Sequence, residues 1–176
     1  MAAIYYTATT LDGFIATLDH SVDWLQSRDN DPDGPMGFTG FHAHVGAAAM
    51  GANTYQWLLD HAPEEAAQDV PTWVFTHRRF APARNVRFTH AAVADVYAEL
   101  AAAADGKDVW VIGGGGLAAQ FADAGHLDEV VVSIAPMTLG AGTPLLPTHV
   151  ELRLEEVARN GDFACMRYTV AHPADG

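Results

Sequence analysis

The glycine run at positions 113–116 constrains the fold of this chain more than any other feature. The apolar stretch 109–112 before it contains two valines and predicts a buried strand. Residues 117–124 after it predict a short helix that ends at Gly125. A glycine turn between a strand and a helix lets a ligand approach the backbone, and the helix N-terminus supplies free N–H groups. The stretch therefore predicts a site for the phosphates of a nucleotide.

The glycine run matches neither of two common nucleotide-binding motifs. A Rossmann fingerprint would use Gly113, Gly115 and Ala118, but the run lies late in the chain. No acidic residue ends the strand that follows, and the Gly-Lys-Ser/Thr sequence of a P-loop is absent. A turn that binds nothing is the alternative, although four consecutive glycines cost considerable backbone entropy.

Length, charge and cysteine content exclude several classes of protein. The 176 residues, 49% of them hydrophobic, predict one domain over residues 1–176. Nine basic and 22 acidic residues give a net charge of −13, so we expect no nucleic-acid or membrane partner. The chain has no secretory leader pattern, and Cys165 has no second cysteine to pair with, so we expect a cytoplasmic protein. The histidines lack metal-ligand spacing, so no metal site is expected.

Nearly half of the basic side chains fall in the window 70–94, which contains no Asp or Glu. They are Arg78, Arg79, Arg84 and Arg87. A chance cluster on a solvated loop is one interpretation. The other is a site for an anionic group, centred on residues 76–79.

The order of predicted elements indicates an α/β architecture with an antiparallel end. Strands are predicted at 4–9, 14–16, 45–50, 72–76, 86–89, 109–112 and 129–134, helices from about 53 and over 93–104, and loops at 29–40 and 136–147. Asn160-Gly161, between strands at 152–158 and 163–170, predicts a C-terminal hairpin. Residues 51–54, 76–79 and 113–116 each follow a strand, so we expect them at one edge of the sheet, where ligands bind.

Five motifs in this order resemble the dihydrofolate reductase-like superfamily, and more closely the reductase domain of bacterial riboflavin biosynthesis. They are Thr10-Leu11-Asp12-Gly13-Phe14-Ile15-Ala16, Ser21-Val22-Asp23-Trp24-Leu25, Met50-Gly51-x-x-Thr54-Tyr55, Val111-Ile112-Gly113-Gly114-Gly115 and Leu127-Asp128-Glu129. The resemblance implies a three-layer α/β/α fold whose central sheet has eight strands, mostly parallel, with a C-terminal antiparallel hairpin. It also implies a cis Gly113–Gly114 peptide, NADPH as the cofactor and a possible homodimer.

The resemblance also assigns roles to individual positions. Cofactor contacts are implied for Ala8, Ile15, Asn53, Thr54, Thr76, His77, Arg78, Arg79, Ile112, Gly113, Gly114, Gly115, Gly116 and Leu117. Tyr6, Trp24, Phe38 and Phe41 would border the substrate, and Asp12 or Ser133 is the candidate catalytic residue that supplies a proton. The chain departs from the family at Ala52, where relatives often have arginine, and at 37–42, which contains no carboxylate.

The function implied is NADPH-dependent reduction of a small heterocyclic or carbonyl compound. Reduction of 5-amino-6-(5-phosphoribosylamino)uracil is the specific reaction that the family suggests, but the sequence has no second basic cluster for the phosphate of this substrate. A non-catalytic NADPH-binding module of the same fold is the alternative.

Overall fold

The computed structural model describes residues 1–66 and 68–171 and is built around one large sheet. The eight strands of this sheet are β1 (Ala3–Thr10), β3 (Val45–Gly51), β4 (Thr72–Phe75), β5 (Val86–Thr89), β6 (Asp108–Gly113), β7 (Glu129–Ala135), β9 (Leu152–Asn160) and β10 (Phe163–Val170). Their order across the sheet is β5-β4-β3-β6-β1-β7-β10-β9, and β10 alone runs antiparallel to the others. The predicted mostly parallel sheet with an antiparallel C-terminal hairpin is confirmed.

Helices cover both faces of the sheet and give the predicted three layers. They are α1 (Asp23–Gln26), α2 (Phe38–His42), α3 (Ala52–His61), α4 (Val93–Ala103) and α5 (Gly115–Asp123), with a 3₁₀ turn at Pro63–Ala66. Leu100 of α4 and Phe121 of α5 pack with Val111 on one face. Tyr55 of α3 packs with Met50 and Val74 on the other. None of the described helices is both long enough and apolar enough to cross a lipid bilayer.

Helix α5 begins at Gly115, two residues earlier than the sequence predicts. Gly114 has an extended backbone and serves as the N-cap, and the Gly113–Gly114 peptide is cis, as the family resemblance implied. A Cβ at Gly115 would lie 2.2 Å from the carbonyl oxygen of Pro144, so only glycine lets the first turn of the helix pack under that loop. The predicted boundary is wrong because two of the glycines belong to the helix itself.

The C-terminal hairpin turns one residue later than predicted. Its two-residue loop is Gly161-Asp162, and positive φ occurs only at Gly161 (+56°), the pattern of a type II′ rather than a type I′ turn. Asn160 remains in the β-ladder, where its side chain bonds to another segment. Its Oδ1 accepts from the Asp31 N–H at 2.8 Å, and its Nδ2 donates to the carbonyls of Asp31 and Pro35 at 2.8 and 3.1 Å.

Both long predicted loops contain short regular elements. Helix α2 begins at Phe38, inside the predicted loop 29–40. In the second loop, β8 (Thr143–Pro144) pairs with β2 (Phe14–Ala16) in a separate two-stranded sheet. Elements this short carry little periodicity, so contacts with the rest of the chain decide them.

Replacing Asn160 with alanine is expected to destabilise the fold by about 2–3 kcal/mol, because three hydrogen bonds of a side chain that is only 6% exposed are lost. We expect the Tm, measured by calorimetry, to fall by roughly 5–10 °C. Asn30→Ala, at an exposed amide in the same loop, is the matched control and should change stability by no more than about 0.5 kcal/mol. Equal effects of the two variants would contradict a clamping role for Asn160.

Candidate functional site

A cleft lies at the carboxyl edge of the sheet, where β3, β4 and β6 end side by side. Its volume is about 650 Å³. Residues 51–54, 112–117 and Arg78 line it, so the structure brings together three segments that the sequence placed at one edge. Ala8 and Ile15, two further expected cofactor contacts, also line it. We call it the larger cavity.

Two helix N-termini converge on the larger cavity. Helices α3 and α5 have glycines at their N-caps, Gly51 and Gly114, and neither has a side-chain cap. The two N-caps are neighbours, since a Cβ on Gly51 would lie 3.6 Å from the Gly113 carbonyl oxygen and 3.7 Å from the Gly114 nitrogen. A Cβ at Gly116, in the first turn of α5, would meet nothing within 4 Å. Uncapped first-turn N–H groups facing an open cleft can bind phosphate oxygens.

Arg78 supplies the positive charge of the larger cavity. Its Nη2 donates to Asn53 Oδ1 at 2.8 Å, and its backbone N–H donates to Thr76 Oγ1 at 2.9 Å. Arg78 is the only Lys or Arg among the described residues that line this cavity, and no Asp or Glu lines it. In a chain with a net charge of −13, a cleft with this lining favours an anionic ligand.

The rest of the basic window does not enter the cleft. Arg84 pairs with Asp69 at 3.6 Å, and the Arg87 guanidinium lies over the Trp73 ring at 4.7 Å. Arg79 is exposed and lies outside the lining. Of the four arginines in the window 70–94, Arg78 alone therefore lines the cleft.

Two neighbours of Arg78 that were expected at the cofactor also lie outside the lining. Thr76 acts locally, because its hydroxyl accepts the Arg78 N–H. His77 is exposed, and its ring centroid is 6.0 Å from that of His90. The structure thus brings Arg78 to the cleft and leaves Thr76, His77 and Arg79 beside it.

A smaller cavity of about 300 Å³ adjoins the larger one. Thr7, Ala8 and Leu25 line both, so the two cavities meet along β1 and α1. The rings of Tyr6 and Phe38 form part of its wall, as expected for substrate contacts. A ligand of drug-like size fits a volume of this order.

Two aromatic residues expected at the substrate support the wall of the smaller cavity instead. Phe41 stacks on Tyr6 with ring centroids 4.2 Å apart but does not line the cavity. Trp24 is 8% exposed and packs with Phe163 and Cys165 in a small core cluster. Its indole N–H has no hydrogen-bond partner among the described residues. Sequence position alone does not separate such a supporting ring from a lining ring.

Ser133 lies on the wall of the smaller cavity, next to the junction. The strand register places it between Ala8 of β1 and Cys165 of β10. Its Oγ is 3.4 Å from Cys165 Sγ. Tyr6 and Thr7 also present hydroxyls on this wall, and the Tyr6 hydroxyl donates to the Met36 carbonyl at 2.9 Å. Burial, together with the nearby Cys165, raises the pKa of Tyr6 to about 12, so its hydroxyl stays protonated at neutral pH.

The structure does not bring Asp12, the other candidate proton donor, to either cavity. Its exposed carboxylate accepts the Thr10 hydroxyl at 2.6 Å and the Gly140 and Leu139 N–H groups at 2.7 and 3.1 Å. The Thr10 hydrogen bond, followed by the two backbone bonds, lowers the pKa of Asp12, so the group is ionised at neutral pH. These hydrogen bonds of Asp12 connect the loop at 139–140 to the turn between β1 and β2.

Several lining residues were not among the predicted site residues. In the smaller cavity they include Asn30, Asp31, Met36, Trp110, Asn160, Phe163 and Cys165, and in the larger one His20, Gln26, Trp57, Phe75, Gln120 and Thr143. Alternation along β6 could have identified Trp110 as a lining residue. Val109 and Val111 are fully buried in the core, so Trp110 between them faces the opposite side of the sheet. No local signal marks Asn160 or Cys165, which the C-terminal hairpin delivers from the far end of the chain.

The fold and the cleft together define a dihydrofolate reductase-like domain. The model for the RibD C-terminal domain matches residues 53–163. The chain therefore belongs to the RibD C-terminal domain family, whose solved members have this reductase-like fold.

Similar proteins are found among both sequences and solved structures. The chain is 29% identical over 172 residues to the uncharacterized protein YwjB of Bacillus subtilis strain 168, covering 96% of this chain and 97% of that protein. A crystal structure from Shewanella sp. PV-4, provisionally assigned to riboflavin biosynthesis, has 25% identity and a TM-score of 0.80 and covers 98% of this chain and 100% of its own. The diaminohydroxyphosphoribosylaminopyrimidine deaminase/5-amino-6-(5-phosphoribosylamino)uracil reductase of Thermotoga maritima has 17% identity and a TM-score of 0.64; the match covers 97% of this chain and 56% of that one, and it shows the fold alone.

Proposed function

We propose that this protein is an NADPH-dependent reductase of a small heterocyclic or carbonyl compound. The observation that carries the proposal is the junction of the two cavities at Thr7, Ala8 and Leu25. One cavity has the features of a dinucleotide site, and the other is an aromatic chamber of substrate size. A cofactor in the first would meet a substrate in the second at this junction.

The residues of the larger cavity fit the chemistry of NADPH. The N-termini of α3 and α5 offer N–H groups to phosphates, and Arg78, held by Asn53, offers a guanidinium. Ala8 supplies an apolar border at the junction, and Ile15 supplies one beside Gly114. When it is bound, the nicotinamide ring supplies a hydride. The protein's own contribution is to orient the two rings and to exclude water from their contact.

Ser133 is the hydroxyl that we propose for holding a proton near the substrate. It lies beside Ala8 at the junction, whereas Asp12 lies outside both cavities. Its Oγ can donate to a substrate atom while it accepts from the Cys165 thiol at 3.4 Å. A water molecule that enters from the solvent is the ultimate source of the proton in this arrangement.

The proposal predicts saturable binding of NADPH and NADPH oxidation with a suitable acceptor. Trp57 lines the larger cavity and Trp110 the smaller one, so quenching of tryptophan fluorescence should report binding. Binding is measured by parallel titrations with NADPH and NADH. Turnover is then measured as the loss of NADPH absorbance at 340 nm with a panel of pterins, pyrimidines and quinones. Binding without any turnover would favour a non-catalytic NADPH-binding module. Failure of NADPH to bind at all would overturn the proposal.

A further inference from the structure

The smaller cavity contains no cationic side chain among its described lining residues. Its polar groups are the hydroxyls of Tyr6, Thr7 and Ser133, the amides of Asn30 and Asn160, the Cys165 thiol and the carboxylate of Asp31. A phosphate ester needs cationic donors or a helix N-terminus to offset the loss of its hydration. Among the described helices, α2 is the one that begins on this wall, and it has five residues.

One carboxylate lies on the wall of the smaller cavity, and three others lie in the same loop or are bonded to that loop. Asp31 lies on the wall, and its Oδ1 accepts the N–H of Asp33 at 3.0 Å. Asp162 Oδ2 accepts the N–H of Asp29 at 2.9 Å, which ties a second pair of carboxylates to the same loop. Asp31, the carboxylate in the lining, repels an anion that enters the smaller cavity and attracts a cation.

The basic residues that are closest in sequence to the lining of the smaller cavity do not offset the negative charge of Asp31. Arg159 Nε donates to the Gly161 carbonyl at 3.0 Å and does not line the cavity. Arg28 also lies outside the lining, and its Nε is buried without a hydrogen-bond partner among the described residues. Arg28, whose Nε lacks a partner among the described residues, is therefore the basic side chain to test for a phosphate-binding alternative.

We infer that the smaller cavity selects an uncharged or cationic flat heterocycle and rejects the phosphate ester of the same ring. The inference rests on the proposed function for the role of this cavity as the substrate site. It separates this chain from the Thermotoga maritima relative, which is named for a phosphoribosylamino substrate. The aromatic rings of Tyr6, Phe38 and Trp110 supply stacking surface, and the Asn30 amide and the hydroxyls supply hydrogen bonds.

A matched pair of probes tests the inference: uridine and uridine 5′-monophosphate, added to the full chain with and without saturating NADPH. Amide NMR signals locate each probe, because Phe38 and Ser133 report the smaller cavity and Gly116 reports the larger one. We expect uridine to shift the signals of the smaller cavity with an affinity about tenfold or more above that of the monophosphate. Equal or tighter binding of the monophosphate there would overturn the inference, and so would the absence of binding by either probe.

Charge reversal supplies the second arm of the test. Asp31→Lys should raise the affinity of the smaller cavity for the monophosphate by about tenfold. Asp33→Lys makes the same charge change in the same loop but outside the lining, so it should have a much smaller effect. If Arg28→Ala instead removes monophosphate binding from the unaltered chain, the cavity recruits that arginine and the inference is wrong. NADPH shifts at Gly116 are read separately, so a failure of the cofactor proposal is distinguished from a failure of this one.

Discussion

Gly116→Asp is expected to weaken NADPH binding by about a hundredfold or more while leaving the fold intact. The new carboxylate would enter the open space in front of the first turn of α5, where the phosphates are proposed to bind. Two unit charges about 5 Å apart repel by roughly 3 kcal/mol at an effective dielectric constant near 20. An acidic residue in the first turn of a helix is favourable for the helix itself, so the Tm should not fall. Fluorescence titration and calorimetry measure the two effects.

Gly116→Ala is the matched control for this variant. Its Cβ would meet nothing within 4 Å, so we expect NADPH affinity within about threefold of the original and equal or slightly higher stability. The pair separates charge from bulk. A similar loss of affinity in both variants, or none with the aspartate, would show that phosphates do not bind at this helix end.

Arg78→Ala is expected to raise the Kd for NADPH by about ten- to thirtyfold and the Kd for NADH by much less. A charge-assisted hydrogen bond contributes roughly 1.5–3 kcal/mol, and the exposure of this side chain favours the lower end. We propose that Arg78 binds the 2′-phosphate of NADPH, which NADH lacks, so its guanidinium should discriminate between the two cofactors. Parallel titrations at low and moderate salt measure the difference.

Two further variants sharpen the test of Arg78. Arg79→Ala removes the same charge from the adjacent position, outside the cleft, and should change the Kd for NADPH by no more than about twofold. Ala52→Arg places a guanidinium in the lining on the other side of Asn53 and should restore much of the affinity that Arg78→Ala loses. Equal losses from Arg78→Ala and Arg79→Ala would indicate a general effect of net charge rather than a specific contact.

Strong local patterns account for the parts of the fold that could be predicted from the sequence. The apolar run of β7 predicts a strand buried on both faces, and the glycine run of β6–α5 predicts a turn open to a ligand. Parallel strands carry their following loops to one edge, so the grouping of residues 51–54, 76–79 and 113–116 at that edge follows from their positions after predicted strands. Errors arose where a distant contact decided the outcome, as at Gly115 under Pro144 and at Asn160 bonded to Asp31.

The smaller cavity shows the limit of sequence reasoning more clearly. Its walls come from β1, the 30–38 segment, β6, β7 and the C-terminal hairpin, which are far apart along the chain. Sequence spacing therefore does not show that Phe41 supports Tyr6 from behind or that Trp24 is enclosed in a core cluster. The same holds for Asp12, whose carboxylate is directed to loop N–H groups more than 120 residues away.

The sequence by itself determined the α/β class, the edge of the sheet that carries the candidate site and the glycine turn that opens onto the cleft, because local periodicity and backbone freedom govern these features. Only the tertiary structure decided which arginine of the basic window enters the cleft. It also decided that a second cavity, with aromatic walls and no Lys or Arg among its described lining residues, meets the first at Thr7, Ala8 and Leu25. The physical reason is that the partner of each arginine, Asp69 for Arg84 and Asn53 for Arg78, comes from another segment of the chain. Contacts between segments depend on the packing of the whole fold and cannot be predicted from neighbouring residues in the sequence.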